Sequence, residues 1–333
     1  MKNIKSLLIT GGTGSFGRTF TNYILENVPT IKRLAIFSRD ELKQHEMMQS
    51  INPKHLHKLR FFIGDIRDKP RVKIALENVQ AVVHAAALKQ VPSAERNPFE
   101  VIKTNIIGAQ NLIEGCIENN VKKVVALSTD KAAGPINLYG ATKLCSDKLF
   151  TSARSYVGKR NIKFSVVRYG NVINSRGSVI PVFKEYAIKK KFIPITDRKM
   201  TRFWISLDQG VKFIIKCFSR MQGGEIFVPK IPSIKIVDIA KSLYPNVKIK
   251  FIGIRPGEKL HEVMCPRDDS HLTLEFKDHY IIKPSISFTR KINYSKNSIG
   301  EKGNKVNEDF EYNSLKNKNF LNIKSIKKLI QKT

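Results

Sequence analysis

Thr10-Gly11-Gly12-Thr13-Gly14-Ser15-Phe16-Gly17 closes the apolar run Leu7-Leu8-Ile9 and opens a stretch with helical periodicity over 14–27. Glycines at 11, 14 and 17 permit a tight turn, close backbone approach to a pyrophosphate, and close packing of the following helix. The helix N-terminus adds amide donors for the phosphates. The spacing G-x-x-G-x-x-G departs from the G-x-G-x-x-G of ordinary dinucleotide dehydrogenases, but its place between strand and helix predicts dinucleotide binding. Outward from this turn, β-type runs at 6–10, 33–37, 60–63, 81–84, 123–127 and 163–168 alternate with amphipathic stretches at 14–27, 41–49, 71–77, 99–119 and 138–157. The runs are nearly continuous in apolar residues, as strands covered by helices on both faces must be. The expectation is an α/β fold: a doubly wound, parallel Rossmann-type sheet with a smaller C-terminal substrate-binding lobe.

The domain reading follows the loss of this alternation after Arg168. Residues 1–170 form the dinucleotide domain, with 202–221 packing back on it, and 171–333 form mainly the substrate lobe and C-terminal tail. From Asn293 the chain is rich in Lys, Asn and Ser, yet Phe310, Tyr312, Phe320, Leu321, Ile323, Ile326, Leu329 and Ile330 give it enough apolar content to dock.

With 333 residues, 41% hydrophobic and 26% charged, the composition is globular, and no apolar run approaches a bilayer's thickness. Met1 passes through a few polar residues into the first strand, which leaves no room for a signal peptide, so a cytoplasmic protein is expected. Cys116, Cys145, Cys217 and Cys265 stand far apart without ligand spacing, which predicts free thiols and no metal. The net charge of +31 is spread over every expected helix and the tail. Without a nucleic-acid motif or an aromatic-interleaved basic stripe, it suits an anionic small molecule better than a dedicated nucleic-acid role.

The second strand ends in Ser38-Arg39-Asp40. A hydroxyl and a guanidinium there accommodate a ribose 2′-phosphate, so NADP is expected, while Asp40 caps the next helix. Gly64-Asp65-Ile66 suits the adenine edge. Ala85-Ala86-Ala87 lets the dinucleotide lie close to backbone, and Lys89 faces either cofactor or substrate phosphate.

Ser128-Thr129-Asp130-Lys131 follows the fifth strand, and Tyr139-Gly140-Ala141-Thr142-Lys143 opens the next helix. Tyr139 and Lys143 share a helix face at i and i+4, so the ammonium favours the phenolate. Asp130 and Lys131 are an acid and a base beyond what hydride transfer needs, and they point to a dehydratase. Oxidising a hexose at C4 makes the C5 proton acidic and the C6 hydroxyl a leaving group. Tyr139, helped by Lys143 and Thr129, takes the C4 hydroxyl proton. Lys131 takes the C5 proton, which requires a neutral amine and hence a lowered pKa. Asp130 protonates the departing oxygen, which requires a raised one.

Together with Ser38–Gln44, Arg168-Tyr169-Gly170-Asn171-Val172, Met200-Thr201-Arg202-Phe203-Trp204 and Arg255-Pro256-Gly257-Glu258-Lys259-Leu260-His261-Glu262, these segments resemble the inverting UDP-N-acetylglucosamine 4,6-dehydratases. Those are extended short-chain dehydrogenase/reductases, and the likeness is to the soluble members of the pseudaminic acid pathway. It covers nearly the whole chain. It implies catalysis by Thr129, Asp130, Lys131, Tyr139 and Lys143. NADP would be held by Gly11, Thr13, Gly14, Ser15, Phe16 and Gly17, then by Ser38, Arg39, Lys43, Asp65 and Ile66. Ala85, Ala86, Lys89, Tyr139, Lys143 and Val172 complete that set. The substrate, UDP-N-acetylglucosamine, would be held by Lys89, Asn171, Arg176, Arg202 and Arg255. The resemblance also implies inversion at C5 and a homo-oligomer, by likeness a hexamer. Gly134 stands where that family usually has Asn, and Asn174 where it has Gly; both differences bear on substrate preference. A UDP-sugar 4-epimerase, which needs the Tyr/Lys pair without Asp130-Lys131, and a non-catalytic nucleotide- or polyanion-binding protein are the competing readings.

Overall fold

The computed structural model describes residues 1, 3–173, 179–286 and 292–331. Strand β1 (Ser6–Thr10) turns through the glycines into α1 (Ser15–Asn27). Next come β2 (Arg33–Ser38), α2 (Glu41–Ser50), β3 (Leu59–Ile63), α3 (Lys69–Ala75) and β4 (Ala81–His84). Helices α4 (Val91–Arg96), α5 (Pro98–Ile102) and α6 (Gly108–Glu118) lead to β5 (Lys123–Thr129), α7 (Leu138–Ser152) and β6 (Lys163–Tyr169). The six strands run parallel in the order β3-β2-β1-β4-β5-β6. Strand order reverses between β1 and β4, and the carboxyl ends there splay into the crevice where such folds take ligands. Helix starts follow side-chain caps visible in the sequence: Asp40 accepts from the Lys43 amide, Asp68 from Arg71 and Asn137 from Gly140.

The expected helix over 99–119 is broken. Between α5 and α6, residues Lys103–Ile107 form a π turn. The turn makes room for Asn105, whose side chain is buried and bonds both the amide and the carbonyl of Leu88, at 2.9 Å each, and the Thr142 hydroxyl at 3.0 Å. A polar side chain committed to the backbone of the β4 loop fixes that loop against α7, and such turns often sit beside functional sites.

In the second half, β7 (Asn171–Val172), α8 (Val179–Lys190), β8 (Phe192–Ile195) and β9 (Thr201–Ile205) precede α9 (Leu207–Arg220) and β10 (Ile226–Pro229). They are followed by β11 (Ser233–Lys235), α10 (Ile236–Leu243), β12 (Lys248–Phe251), β13 (Val263–Cys265), β14 (Thr273–Glu275) and β15 (His279–Ile282). The chain ends in β16 (Asn304–Lys305), β17 (Tyr312–Asn313) and α11 (Ile323–Gln331). Helix α9 starts on a Ser206/Gln209 capping box and buries Phe213, Ile214, Cys217 and Phe218 in the main core. Strand β10 pairs parallel with β6, and β15, β14 and β16 extend the sheet antiparallel to ten strands. The sheet therefore continues well past residue 170, because β15 and β14 cover an edge that β10 would leave open. A second core gathers Phe183, Ile193, Trp204, Ile234, Ile239 and Ile326 from β8, β9, α8, α10, β11 and α11. The lysine-rich tail is docked through Tyr312 and Ile326, both buried. Among the described residues no helix is long and apolar enough to cross a membrane.

Candidate active site

A cleft of about 650 Å³ opens at the carboxyl ends of β1, β4 and β5. At its back, Gly11 has φ +65°, and a Cβ there would lie 2.9 Å from the Ala86 backbone; at Gly17 it would lie 2.2 Å from the Gly12 carbonyl oxygen. Thr10 ties the two loops together. Its Oγ1 accepts from the Ala85 and Ala86 amides at 3.2 Å and shares a 2.8 Å hydrogen bond with His84 Nδ1. Burial, helped by the Lys143 charge, pushes His84 down to about 3, so the ring is neutral in the fold.

This carries a pH prediction. The folded pKa is depressed below the ordinary 6.5 of a histidine, so the unfolded chain binds more protons between about pH 3 and 6.5, and stability is lost as pH falls through that window. Thermal unfolding is expected to show a falling Tm below pH 6.5, at up to about 1.4 kcal/mol per pH unit from this ring. A His84→Gln variant should have the shallower slope.

Every residue assigned to the cofactor from sequence lines this cleft: Gly11, Thr13, Gly14, Ser15, Phe16, Gly17, Ser38, Arg39, Lys43, Asp65, Ile66, Ala85, Ala86, Lys89, Tyr139, Lys143 and Val172. Gln44 donates to both the carbonyl and the hydroxyl of Ser38, which fixes the end of β2. Arg39 leaves its guanidinium half-exposed, 3.5 Å from Asp65, and Lys43 pairs with Asp40. Burial raises the Asp65 carboxyl, but Arg67 outweighs it and holds the group below its ordinary value.

On the opposite wall, Asp130–Ala132 make a 3₁₀ turn against α7, capped by Thr129, and Thr129, Asp130 and Lys131 line the cleft with Tyr139 and Lys143. Asp130 is fully buried. Its Oδ1 accepts from Thr129 Oγ1 at 2.9 Å and from Lys131 Nζ at 3.0 Å, while Oδ2 is buried without a partner. Gly140 permits the packing, since a Cβ there would lie 2.3 Å from the Lys131 carbonyl oxygen. Gly140→Ala must displace this turn. A loss of about 1–3 kcal/mol in stability and on the order of 10²-fold in turnover is expected, read by thermal melts and steady-state rates.

Three expectations are corrected here. Lys131 was expected to be poised neutral. Burial does lower it, but the carboxylates of Asp130 and of Glu262, 3.3 Å away, together outweigh burial and raise it, so it stands as an ammonium. Lys143 was expected to favour the Tyr139 phenolate. Its Nζ instead donates to the Leu127 carbonyl at 2.7 Å, and burial lowers its own pKa. Burial pushes the Tyr139 phenol up to about 12, and the groups opposing this are the Lys131 charge and a hydrogen bond with Thr129.

The third correction concerns substrate cations. Arg202 and Arg255 are absent from the cleft lining, whereas Lys89 and Asn171 belong to it. Arg202 is buried and donates to the carbonyls of Thr201, Leu260 and Lys259 at 2.8–3.1 Å, with Glu258 and Glu262 nearby. It braces the 258–262 loop. Arg255 is exposed and paired with Glu258 at 2.7 Å. Arg176 lies outside the described residues. Glu262 was not foreseen as a site residue; the signal was a carboxylate in the Arg-Pro-Gly-Glu-Lys-Leu-His-Glu segment, with nothing in spacing to bring it to Lys131. Gly134 has φ +56°, a left-handed turn that Asn also tolerates.

A family model described as "Polysaccharide biosynthesis protein" matches residues 7–284. The chain is 56% identical over 335 residues, covering 100% of itself and 99% of the relative, to UDP-N-acetylglucosamine 4,6-dehydratase (inverting) of Campylobacter jejuni. It is 40% identical to UDP-glucose 4-epimerase of Rickettsia canadensis, over 98% of this chain and 95% of that one. Among solved structures, Pen from Bacillus thuringiensis superposes with a TM-score of 0.86 at 35% identity, covering 100% of this chain and 99% of that one. DesIV of Streptomyces venezuelae, a dTDP-glucose 4,6-dehydratase solved with NAD bound, shares the fold at a TM-score of 0.66 and 22% identity, over 77% of this chain and 86% of that one.

Proposed function

The chain belongs to the polysaccharide biosynthesis protein family of extended short-chain dehydrogenase/reductases, and from that premise we propose that it is a 5-inverting UDP-N-acetylglucosamine 4,6-dehydratase, a lyase that uses NADP. The observation that carries this reading is the Asp130–Lys131 pair, 3.0 Å apart on the cleft wall beside Tyr139. A 4-epimerase oxidises and reduces C4 alone and has no use for that second acid and base. The greater likeness to the Campylobacter dehydratase than to the Rickettsia epimerase points the same way.

In this mechanism Tyr139 takes the C4 hydroxyl proton, assisted by Thr129 and by the Lys131 charge. The resulting ketone makes the C5 proton removable. Lys131, once it has shed a proton, takes the C5 proton and passes it across 3.0 Å to Asp130, which delivers it to the C6 oxygen so that water leaves. Bound NADP supplies the hydride acceptor at C4 and the donor at C6. Reprotonation of C5 on the opposite face gives UDP-2-acetamido-2,6-dideoxy-β-L-arabino-hexos-4-ulose, a precursor suited to the pseudaminic acid pathway. The Gly11 and Gly17 cradle, which a Cβ would fill, fits a dinucleotide, and Ser38, Arg39 and Lys43 suit its 2′-phosphate. Lys89, Asn171 and Arg176 are assigned to the nucleotide sugar; Asn171 Oδ1 is buried without a partner at the cleft, which supports its part. A cytoplasmic homo-oligomer, by resemblance a hexamer, completes the proposal. The exposed Phe99, Ile107 and Ile136 around α5–α7 support the association.

Incubating the protein with UDP-N-acetylglucosamine and NADP and reading product mass separates the readings. Loss of one water is expected. An isobaric product indicates the epimerase, and no turnover the binding protein.

A further inference from the structure

Against Lys131, and outside the residues that line the cleft, stands a carboxylate with no part in the catalytic steps so far. Glu262 is 2% exposed, its Oε1 lies 3.3 Å from Lys131 Nζ and 3.8 Å from Arg202 Nε, and its Oε2 is buried without a hydrogen-bond partner. It is absent from the residues that line the cleft. Its backbone is held by the C-terminal tail. The Glu262 amide donates to Ser314 Oγ at 2.9 Å, the Ser314 amide donates back to the Glu262 carbonyl at 2.8 Å, and Ser314 Oγ also lies 2.7 Å from Thr201 Oγ1. Beside it, β13 pairs with β17 of the tail.

Lys131 has two carboxylates to which its proton can move, and they are unequal. Asp130 Oδ1 already accepts two hydrogen bonds, from the Thr129 hydroxyl and from Lys131. The Glu262 carboxylate has only the looser ion pairs with Lys131 and Arg202. Protonating it therefore sacrifices less.

Resting on the dehydratase reading, we propose that Glu262 is a positioning residue that holds the proton of Lys131 during C5 abstraction. One proton passes from Nζ to the Glu262 carboxylate, leaving a neutral amine facing the substrate and a neutral acid beside it, with no other bond made or broken. Burying a neutral pair rather than an ion pair is what a desolvated site favours once substrate excludes water. The charged groups facing Glu262 are Asp130 and Lys131 on the turn after β5, Arg202 on β9, and Lys259 on its own loop. Burial comes first among the causes that raise its carboxyl, followed by the Asp130 charge, while the three cations oppose both.

The test compares wild type, Glu262→Gln and Glu262→Asp for turnover and C5 deuterium uptake from pH 6 to 10, with NADP affinity measured alongside. Glu262→Gln keeps the shape but cannot take a proton. It is expected to lose on the order of 10²-fold in both rates at neutral pH and to regain them as pH rises and solvent takes the proton, while Glu262→Asp retains a measurable share at neutral pH. Near-wild-type rates for Glu262→Gln at neutral pH overturn the proposal. Should Glu262→Gln fail to bind NADP, Glu262→Asp decides alone: neutral-pH activity on a wild-type pH profile supports the proposal, and inactivity with intact NADP binding refutes it. Wild-type protein that releases no water sinks the dehydratase reading itself.

Discussion

Lys131→Met is expected to lower dehydration by on the order of 10³-fold and to remove solvent deuterium uptake at C5, while NADP binds as before. The change deletes the one amine that lines the cleft next to Asp130 and leaves an apolar chain of similar length in its place. Two carboxylates then face each other without their shared cation: Asp130, with one buried oxygen already unpartnered, and Glu262, likewise. Leaving buried charge uncompensated costs about 3–5 kcal/mol, so melting must be measured beside kinetics. The informative outcome is the separation of steps. Oxidation at C4 loses only the Lys131 charge that assists Tyr139, so transient cofactor reduction should survive, slowed, on addition of substrate. If C5 exchange continues at the wild-type rate in this variant, another base removes the proton.

Tyr139→Phe is expected to stop the reaction one step earlier. Without the phenol nothing accepts the C4 hydroxyl proton, and cofactor reduction and C5 exchange should both fall by on the order of 10³-fold. The side chain is half-buried at the start of α7, so removing a single oxygen alters packing little, and a near-normal Tm is expected. The pH dependence is informative here. Burial sets the phenol at about 12, opposed by Lys131 and Thr129; Thr129→Val should therefore move the alkaline rise of the cofactor-reduction rate to higher pH. An unchanged profile in Thr129→Val would remove that hydroxyl from the proton path.

The N-terminal half of the fold was readable because most of its elements obey local rules. Continuous apolar strands alternate with capped amphipathic helices, and the glycines of the first turn meet backbone that no side chain can share. The π turn at Lys103–Ile107 was not readable, because its cause is a long-range commitment of Asn105 to Leu88. The short strands β14–β16 escaped for the same reason: two to four residues carry no period, and what makes them strands is the open edge of β10.

At the site, motif positions predicted which residues face the cleft, since strand ends and helix faces fix them. Charge states were not legible. Lys131 is raised by Asp130 and then by Glu262, a residue delivered by a distant loop and pinned by the tail, and Lys143 is turned to a carbonyl rather than to the phenol. Arg202 and Arg255 show the converse error. An arginine in the right segment was read as a substrate cation, but three carbonyls and the neighbouring glutamates claim Arg202, and Glu258 claims Arg255.

The most direct measurement is proton NMR of the product formed from UDP-N-acetylglucosamine in deuterium oxide. The expected product has a C6 methyl group, a C4 ketone or its hydrate, deuterium at C5 and the L-arabino configuration. A product that keeps its C6 hydroxyl and its original C5 hydrogen, changed only at C4, contradicts the assignment of Asp130 and Lys131 as the acid and base of a dehydration.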